Sequence, residues 1–353
     1  MPDRNATEPI EQASRPLLTL AIPTYNRAAN LALLLRMLVP QLAELPQVEL
    51  IVSDNASPDD TQQVMEQFLR EGLLCRYIRN PVNIGPDPNF LQCYGEARGK
   101  YVWIFGDDDV IFPGALGQIV GALEQEAPDI VYLTPFSFSH SPNERNLANP
   151  NPAAFVFDNA RDFIHAVGLR GDFALISAII VNRDHVEAKP HADFSGFSDT
   201  NLLQLGWTFS ALRSLQRGVV FERGLYSVCE LNPSRPFDVA LVFGVNWSKA
   251  VSRYLGEDPA LVSVMLKDQL YSWFTTNWFG MRRRPALHRL EDPVAKLRPY
   301  YGRFAIFWIA TWPLLVLPML LAGGWLAVLR GIRHVDRTLN RRLGKRLQSV
   351  FLP

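Results

Sequence analysis

The sequence predicts an α/β protein with a mostly parallel central sheet carrying helices on both faces, followed by a C-terminal helical region that associates with a membrane. Three observations predict it. From Leu17 to about Leu133, short apolar runs alternate with amphipathic stretches, the signature of βαβ units. Three of those runs end in polar clusters, which a parallel sheet brings to one edge. Near the C-terminus, Phe304 to Leu329 is a stretch of 26 residues without a charge, with arginines on both sides.

At 353 residues, 48% hydrophobic and 20% charged, the chain is neither disordered nor fibrous. It suffices for one domain of about 200 to 250 residues plus an appendage. The N-terminal MPDRNATEPIEQASRP has no apolar core and is expected to be a loose leader over residues 1–16 rather than a secretory signal. Cys75, Cys93 and Cys229 have neither the number nor the spacing of a disulfide framework or a zinc site, which fits a reducing compartment.

Each element follows from its own pattern. LLTLAI reads as a strand, NLALLLRMLVPQL as an amphipathic helix, VELIVS as the next strand, and then TQQVMEQFL, CRYI, NFLQCYGEA, YVWIF, GQIVGALE and DIVYL continue the alternation. The first strand runs into Pro23-Thr24-Tyr25-Asn26-Arg27, the second into Asp54-Asn55-Ala56-Ser57, and YVWIF into Gly106-Asp107-Asp108-Asp109. Three adjacent carboxylates repel one another unless a cation is present, and hard oxygen ligands suit Mg²⁺ or Mn²⁺ holding a diphosphate. A solvated acidic turn or helix cap is the plainer alternative. Tyr25 offers a face for stacking and Asp54 a hydrogen-bond acceptor, although Thr24 and Asp54 equally suit helix caps. Asn83-Ile84-Gly85-Pro86 reads as a turn that either brings backbone close to a ligand or is simply a loop.

The runs IPTYNRAANLALLL, VSDNASPDDT, RNPVNIGPDPNF and YVWIFGDDDV, in this order over about 100 residues, resemble the nucleotide-sugar-binding half of the family 2 glycosyltransferases. NIGPDPNF followed by WIFGDDD is similar to the branch containing the abequosyltransferases, which add a sugar to a polyprenyl-diphosphate-linked precursor. The resemblance implies a GT-A fold, a nucleotide-sugar donor, and Mn²⁺ or Mg²⁺ as cofactor. It implies that Thr24 and Tyr25 line the base pocket, that Asp54 binds the base or ribose, that Asn83 and Gly85 form the family's N-x-G turn, and that Asp108 and Asp109 are the DXD pair beside Asp107, with Asp109 the metal ligand. The chain departs from the family pattern at Gly106, where an Asp is common, and at Phe90, near a common Arg.

Inverting members use a carboxylate as proton acceptor, commonly in a Glu-Asp dipeptide before a helix. Here HADFSGFSDTNLLQLGW supplies Asp193 and Asp199 instead. Asp199, just before the periodicity of Leu202, Leu203 and Leu205, is the first choice as base, or else an N-cap of that helix. A retaining reaction would need no such base. His185 and His191 read as structural, and Asp172 as a weak acceptor contact. The Gln-x-x-Arg-Trp motif of the family's polymerases is not found, which favours addition of a single sugar.

The charge pattern completes the reading. Net charge is zero, yet the 24 residues from Arg330 carry seven Lys/Arg against one Asp, and Arg282 to Arg303 seven against two. These excesses of six and five leave the rest at −11. A helix of 26 residues measures roughly 39 Å against about 30 Å of hydrocarbon. Pro313, Pro318 and Gly323-Gly324 interrupt it, and basic flanks on both sides favour one side of the membrane, so a hairpin dipping into one leaflet is preferred to a kinked span. Beyond it, Ile332, Val335, Leu339, Leu343, Leu347 and Val350 recur at helical spacing between arginines, which suits an anionic lipid surface rather than nucleic acid. The expected organisation is a leader (1–16), a glycosyltransferase domain (17–235, its donor half 17–135 and acceptor half 136–235), a helical extension (236–303), a membrane segment (304–329) and a basic amphipathic helix (330–353). The expected acceptor is a membrane-associated, lipid-linked saccharide, with the catalytic domain cytoplasmic. A sugar nucleotidyltransferase and a non-catalytic membrane scaffold are the alternatives.

Overall fold

Strand β1 (Leu18–Thr24) is buried along all seven residues, as a strand covered on both faces must be. It pairs in parallel with β2 (Val48–Asp54) on one side and β4 (Tyr101–Ile104) on the other. Beyond β2 lies β3 (Arg76–Arg79), also parallel. The computed structural model describes residues 15–138, 152–168, 173–188, 194–229, 238–283 and 290–343. Helices α1 (Ala28–Leu42), α2 (Thr61–Arg70) and α3 (Pro86–Glu96) connect these strands in turn, and α4 (Ala115–Glu126) follows them. Leu31, Leu34, Leu35 and Leu38 form the buried stripe of α1, at the helical spacing its sequence shows.

The other half of the sheet is mixed. After β5 (Val110–Ile111), β6 (Ile130–Leu133), β7 (Phe136–Phe138) and β8 (Ala154–Phe157), strand β9 (Ile179–Asn182) inserts antiparallel between β4 and β6. Strand β10 (Gly218–Phe221) is parallel to β6 and antiparallel to β8. The order is β3-β2-β1-β4-β9-β6-β10-β8. β5, β7 and β11 (Tyr226–Cys229) form a second small sheet. Helices α5 (Ala160–Gly168), α6 (Arg183–Glu187) and α7 (Gln204–Leu212) belong to this half.

A helical module follows: α8 (Trp247–Leu255), α9 (Pro259–Asp268), α10 (Thr275–Arg283), α11 (Pro293–Tyr301), α12 (Trp312–Val316) and α13 (Met319–Leu343), with wide π-type turns at 240–246, 269–274 and 307–311. Leu297, Phe274, Trp278, Tyr301 and Phe307 are fully buried in it. The Tyr301 hydroxyl donates to the Gly244 carbonyl at 3.2 Å. The stretch from Tyr271 to Phe279 thus supplies core through Phe274 and Trp278.

The apolar C-terminal stretch is a helical hairpin. Leu317 is extended (φ −68°, ψ 149°), the conformation a residue before proline prefers, and Pro318 separates α12 from α13. Trp325 Nε1 donates to the Ile309 carbonyl at 2.9 Å, so the two arms run side by side. Gly323-Gly324 do not break α13, and the Phe279 ring lies against Gly323. Helix α13 also runs without interruption across residue 330, where the sequence suggested a boundary. Among the described residues no helix is long and apolar enough to cross a membrane. Residues 344–353, and with them Leu347 and Val350, lie outside the described residues, as does the leader up to residue 14.

Candidate functional site

The register of the central strands assembles the site. Thr24 lies directly opposite Asp54 at the carboxyl ends of β1 and β2. The Phe105 amide donates to the Ala21 carbonyl at 2.9 Å, so the chain leaving β4 delivers Asp107 to Asp109 beside Thr24. The polar clusters read from the sequence are brought together at one sheet edge.

Asp107 is only 3% exposed and is held from two directions. Thr24 Oγ1 donates to its Oδ2 at 2.7 Å, and Arg27 Nη1 donates to its Oδ1 at 2.7 Å. The same Nη1 lies 3.3 Å from Asp108 Oδ2. Thr24 is therefore buried and caps no helix; the residue before α1 is Arg27. Asp109 accepts from the Cys229 amide at 3.1 Å, which ties the acidic turn to β11. Its carboxylate also bonds Ser177, whose Oγ accepts from the Gly106 amide at 2.8 Å. At Gly106 a Cβ would stand 3.1 Å from Asp109 Oδ2 and 3.2 Å from Asp108 Oδ1, so the two carboxylates curl back over a position where a side chain would crowd them.

The electrostatics follow from this crowding. Burial pushes the Asp109 carboxyl well up from its ordinary value, and Asp108 and Asp107 add like charge. Burial also raises Asp107, the Asp108 charge adds to it, and Arg27 and Thr24 oppose it. Burial works against the charge on Arg27, but Asp107 and Asp108 outweigh it and keep the guanidinium protonated. One guanidinium faces three carboxylates, so carboxylate oxygens outnumber cationic groups at the turn, although among the described residues no group of three or more His, Cys, Asp or Glu is placed to hold a metal ion.

Asp54 is fully buried. Its Oδ1 accepts from the Ser57 amide at 2.8 Å, and its Oδ2 from the Tyr77 hydroxyl at 2.8 Å, with Arg79 Nε at 3.2 Å. It caps no helix, since α2 begins at Thr61. Tyr25 stands 43% exposed beside it on the loop after β1. Asn55 organises the turn at Asn83–Gly85: its Nδ2 donates to Asn83 Oδ1 at 2.9 Å and to the Gly85 carbonyl at 3.0 Å, while its Oδ1 accepts from the Ile84 amide at 2.9 Å. Gly85, at φ 91°, occupies a conformation that favours glycine and leads into α3. Arg27, Asn55, Tyr77, Arg79 and Ser177 were not assigned roles from the sequence; Arg27, Asn55 and Arg79 sit inside the motifs, but Tyr77 and Ser177 reach the site from outside them.

On the acceptor side, Asp199 is exposed and lies in a turn at φ 60°. It does not cap α7, which begins at Gln204 after Leu203. Asp193, His191 and Asp172 fall outside the described residues. His185 is structural: its Nδ1 lies 3.1 Å from Asp129 Oδ1 and its Nε2 3.0 Å from Ser214 Oγ. Asp129 precedes β6, so this cluster sits at the opposite edge of the sheet from the acidic turn.

Residues 19–183 match the family model described as "Glycosyl transferase family 2". Among characterised relatives, the chain is 31% identical over 183 residues to the abequosyltransferase RfbV of Salmonella typhimurium, covering 49% of this chain and 54% of that protein. It is 30% identical over 106 residues to the GalNAc(5)-diNAcBac-PP-undecaprenol beta-1,3-glucosyltransferase of Campylobacter jejuni, covering 30% of this chain and 34% of that one. The chain thus spans about half or less of the length of these relatives. Among solved structures, S. aureus TarS 1-349 in complex with UDP-GlcNAc superposes with a TM-score of 0.56 at 15% identity, covering 93% of this chain and 92% of that one, which is a likeness of fold.

Proposed function

We propose, from the match of residues 19–183 to the family 2 glycosyl transferase model, that the protein transfers a single sugar from a nucleotide-sugar donor to a lipid-linked saccharide at a membrane surface. The observation that carries the reading is the acidic turn Asp107–Asp109, cradled by Thr24, Arg27 and Ser177 beside the exposed Tyr25. In this reading the base stacks on Tyr25. Asp54 acts by fixing Tyr77 and Arg79, and Asn83 and Gly85 shape the wall of the pocket. Asp107 anchors Arg27 and Thr24. Asp108 and Asp109 would hold Mn²⁺ or Mg²⁺, which when bound neutralises the charge of the departing diphosphate. Asp199 takes the proton of the acceptor hydroxyl, with Asp193 the second choice.

The Campylobacter jejuni relative, named for action on an undecaprenol-linked saccharide, supports a lipid-linked acceptor. The helical hairpin supports the membrane surface. Its outward residues are apolar: Trp308, Ile309, Val316, Leu320, Leu321, Val328 and Ile332 are each 40% or more exposed. Arg283, Arg298, Arg303 and Arg330 are exposed on the same helical module, with Arg298 over the Trp308 ring. An apolar face on a module with exposed cations suits the interface of an anionic bilayer, and it would confine enzyme and acceptor to one plane.

The test is a panel of UDP-, GDP-, CDP- and dTDP-sugars assayed for Mn²⁺- or Mg²⁺-dependent binding and slow hydrolysis, with Asp109→Ala as control. Saturable use of one donor, lost in the variant, is expected. Absence of binding to every donor would favour a scaffold without turnover.

A further inference from the structure

Asp87 stands in the first turn of α3, two residues after Gly85 of the donor-side turn. An acidic residue there ordinarily faces solvent and complements the helix dipole. This one is 3% exposed, and its partners come from the other half of the domain. The Asn201 amide donates to Asp87 Oδ2 at 3.2 Å; burial raises the Asp87 carboxyl and the Asp199 charge adds to this, against the opposing amides of Asn201, Thr200 and Asp199. Among the described residues its Oδ1 accepts no hydrogen bond.

The segment it holds is strained. Asp199 and Asn201 adopt φ of 60° and 57°, two left-handed residues within three, a conformation that persists only where the surroundings impose it. A second fastening comes from the helical module, where Asn246 Nδ2 donates to the Thr200 carbonyl at 3.2 Å. Residues 199–201 are thus gripped from the donor-side turn and from the C-terminal helices together. The donor-side grip continues inward, since Gly85 is bonded to Asn55, whose amide donates to the Thr24 carbonyl at 2.9 Å.

We propose that Asp87 is a positioning residue whose carboxyl group fastens the main chain of residues 199–201 to the donor-side turn and so sets Asp199 in place for transfer. The inference rests on the proposed role of Asp199. Asp87 touches no reacting atom; it acts through the loop.

The test uses the full chain with Asp87→Asn and Asn246→Ala, and it reads hydrogen exchange at the amides of residues 199–201 alongside metal-dependent hydrolysis of the nucleotide sugar, with water as acceptor. Faster exchange is expected in both variants. For Asp87→Asn, hydrolysis is expected to fall at least about tenfold, as misplacement of a reacting group does. Affinity for the matching nucleoside diphosphate with Mn²⁺ should stay within about twofold, because the loss is in turnover rather than ground-state binding. Unchanged exchange overturns the proposal whatever the rate, and so does faster exchange with undiminished hydrolysis. Asp199→Asn separates the two readings: if it hydrolyses at the wild-type rate while Asp87→Asn does not, the proton-acceptor assignment falls and the fastening stands.

Discussion

Arg27 Nη1 and Asp107 Oδ1 lie 2.7 Å apart at the carboxyl edge of the sheet, where Asp107 is 3% and the Arg27 side chain 24% exposed. The pair balances only part of the charge on the acidic turn. Removing one partner of a buried ion pair leaves an uncompensated charge and costs about 3 to 5 kcal/mol.

Arg27→Met is therefore expected to destabilise the metal-free protein by about 3 kcal/mol, discounted toward about 2 for the exposed flank of the guanidinium. Because the variant has lost its internal counter-charge, Mn²⁺ should raise its melting temperature more than it raises that of the wild type. Thermal unfolding across a Mn²⁺ titration checks both points. Equal shifts in the two proteins would mean that no cation sits near Asp107 and Asp108.

The pH dependence of stability has a definite sign at this turn. Burial and like charge raise Asp109 in the folded state, so between the ordinary carboxylate range and that raised value the folded protein holds a proton that the unfolded chain has lost. The contribution of Asp109 is fully present below the unfolded value and is lost as pH rises through the folded one. Glu49 and Asp59 run the other way: burial raises each of them, but their hydrogen bonds outweigh it and lower them, so they lose stability as pH falls. The difference between wild type and Asp109→Asn isolates the effect. In metal-free urea unfolding from pH 5 to pH 8, the wild type should lose stability relative to Asp109→Asn as pH rises; a constant difference would contradict the crowding described here.

Ser177 offers a third test. Its hydroxyl accepts from Gly106 and bonds Asp109, so it orients a proposed metal ligand without meeting the metal. Ser177→Ala should weaken Mn²⁺ affinity by about 10- to 100-fold, as loss of an outer partner does, and should cost about 1 to 3 kcal/mol for the stranded amide. Calorimetric titration with Mn²⁺ decides it. Unaltered affinity would remove Asp109 from the ligand set.

What the sequence made legible has a physical limit. Strands β1, β2 and β4 are buried on both faces, so they read as apolar runs, and the polar residues at their ends stand out by contrast. Strand β9 is buried and apolar too, but an apolar run carries no information on direction, and its antiparallel insertion between β4 and β6 had no local signal. Thr24, Asp54 and Asp107 were legible as a cluster, whereas their bonding was not: the motif does not say that Thr24 and Arg27 turn inward to Asp107 while Asp54 is covered by Tyr77 and Arg79. Ser177 and Asp87 act across 71 and 114 residues of chain, and no periodicity connects such pairs. Pro318 marked the hairpin correctly because proline restricts the residue before it wherever it stands. Gly323-Gly324 misled, because glycine inside a helix costs only about 1 kcal/mol relative to alanine and α13 continues through both.

The hairpin itself gives the last prediction. Leu320 is 92% and Leu321 60% exposed, just past the elbow whose carbonyls, at Leu314 and Leu317, are held by Arg282. The elbow is thus shaped internally, and its outer leucines contribute little to folding. Leu320→Asp with Leu321→Asp should leave the melting temperature nearly unchanged, since exposed substitutions ordinarily stay within about 0.5 kcal/mol. Co-sedimentation with vesicles containing phosphatidylglycerol should nevertheless be lost. Replacing Arg298, Arg303 and Arg330 together should weaken binding by about 1 kcal/mol for each cation near the surface, and added salt should weaken the wild type in parallel. Lipid binding that survives both sets of changes would move the membrane contact away from the hairpin.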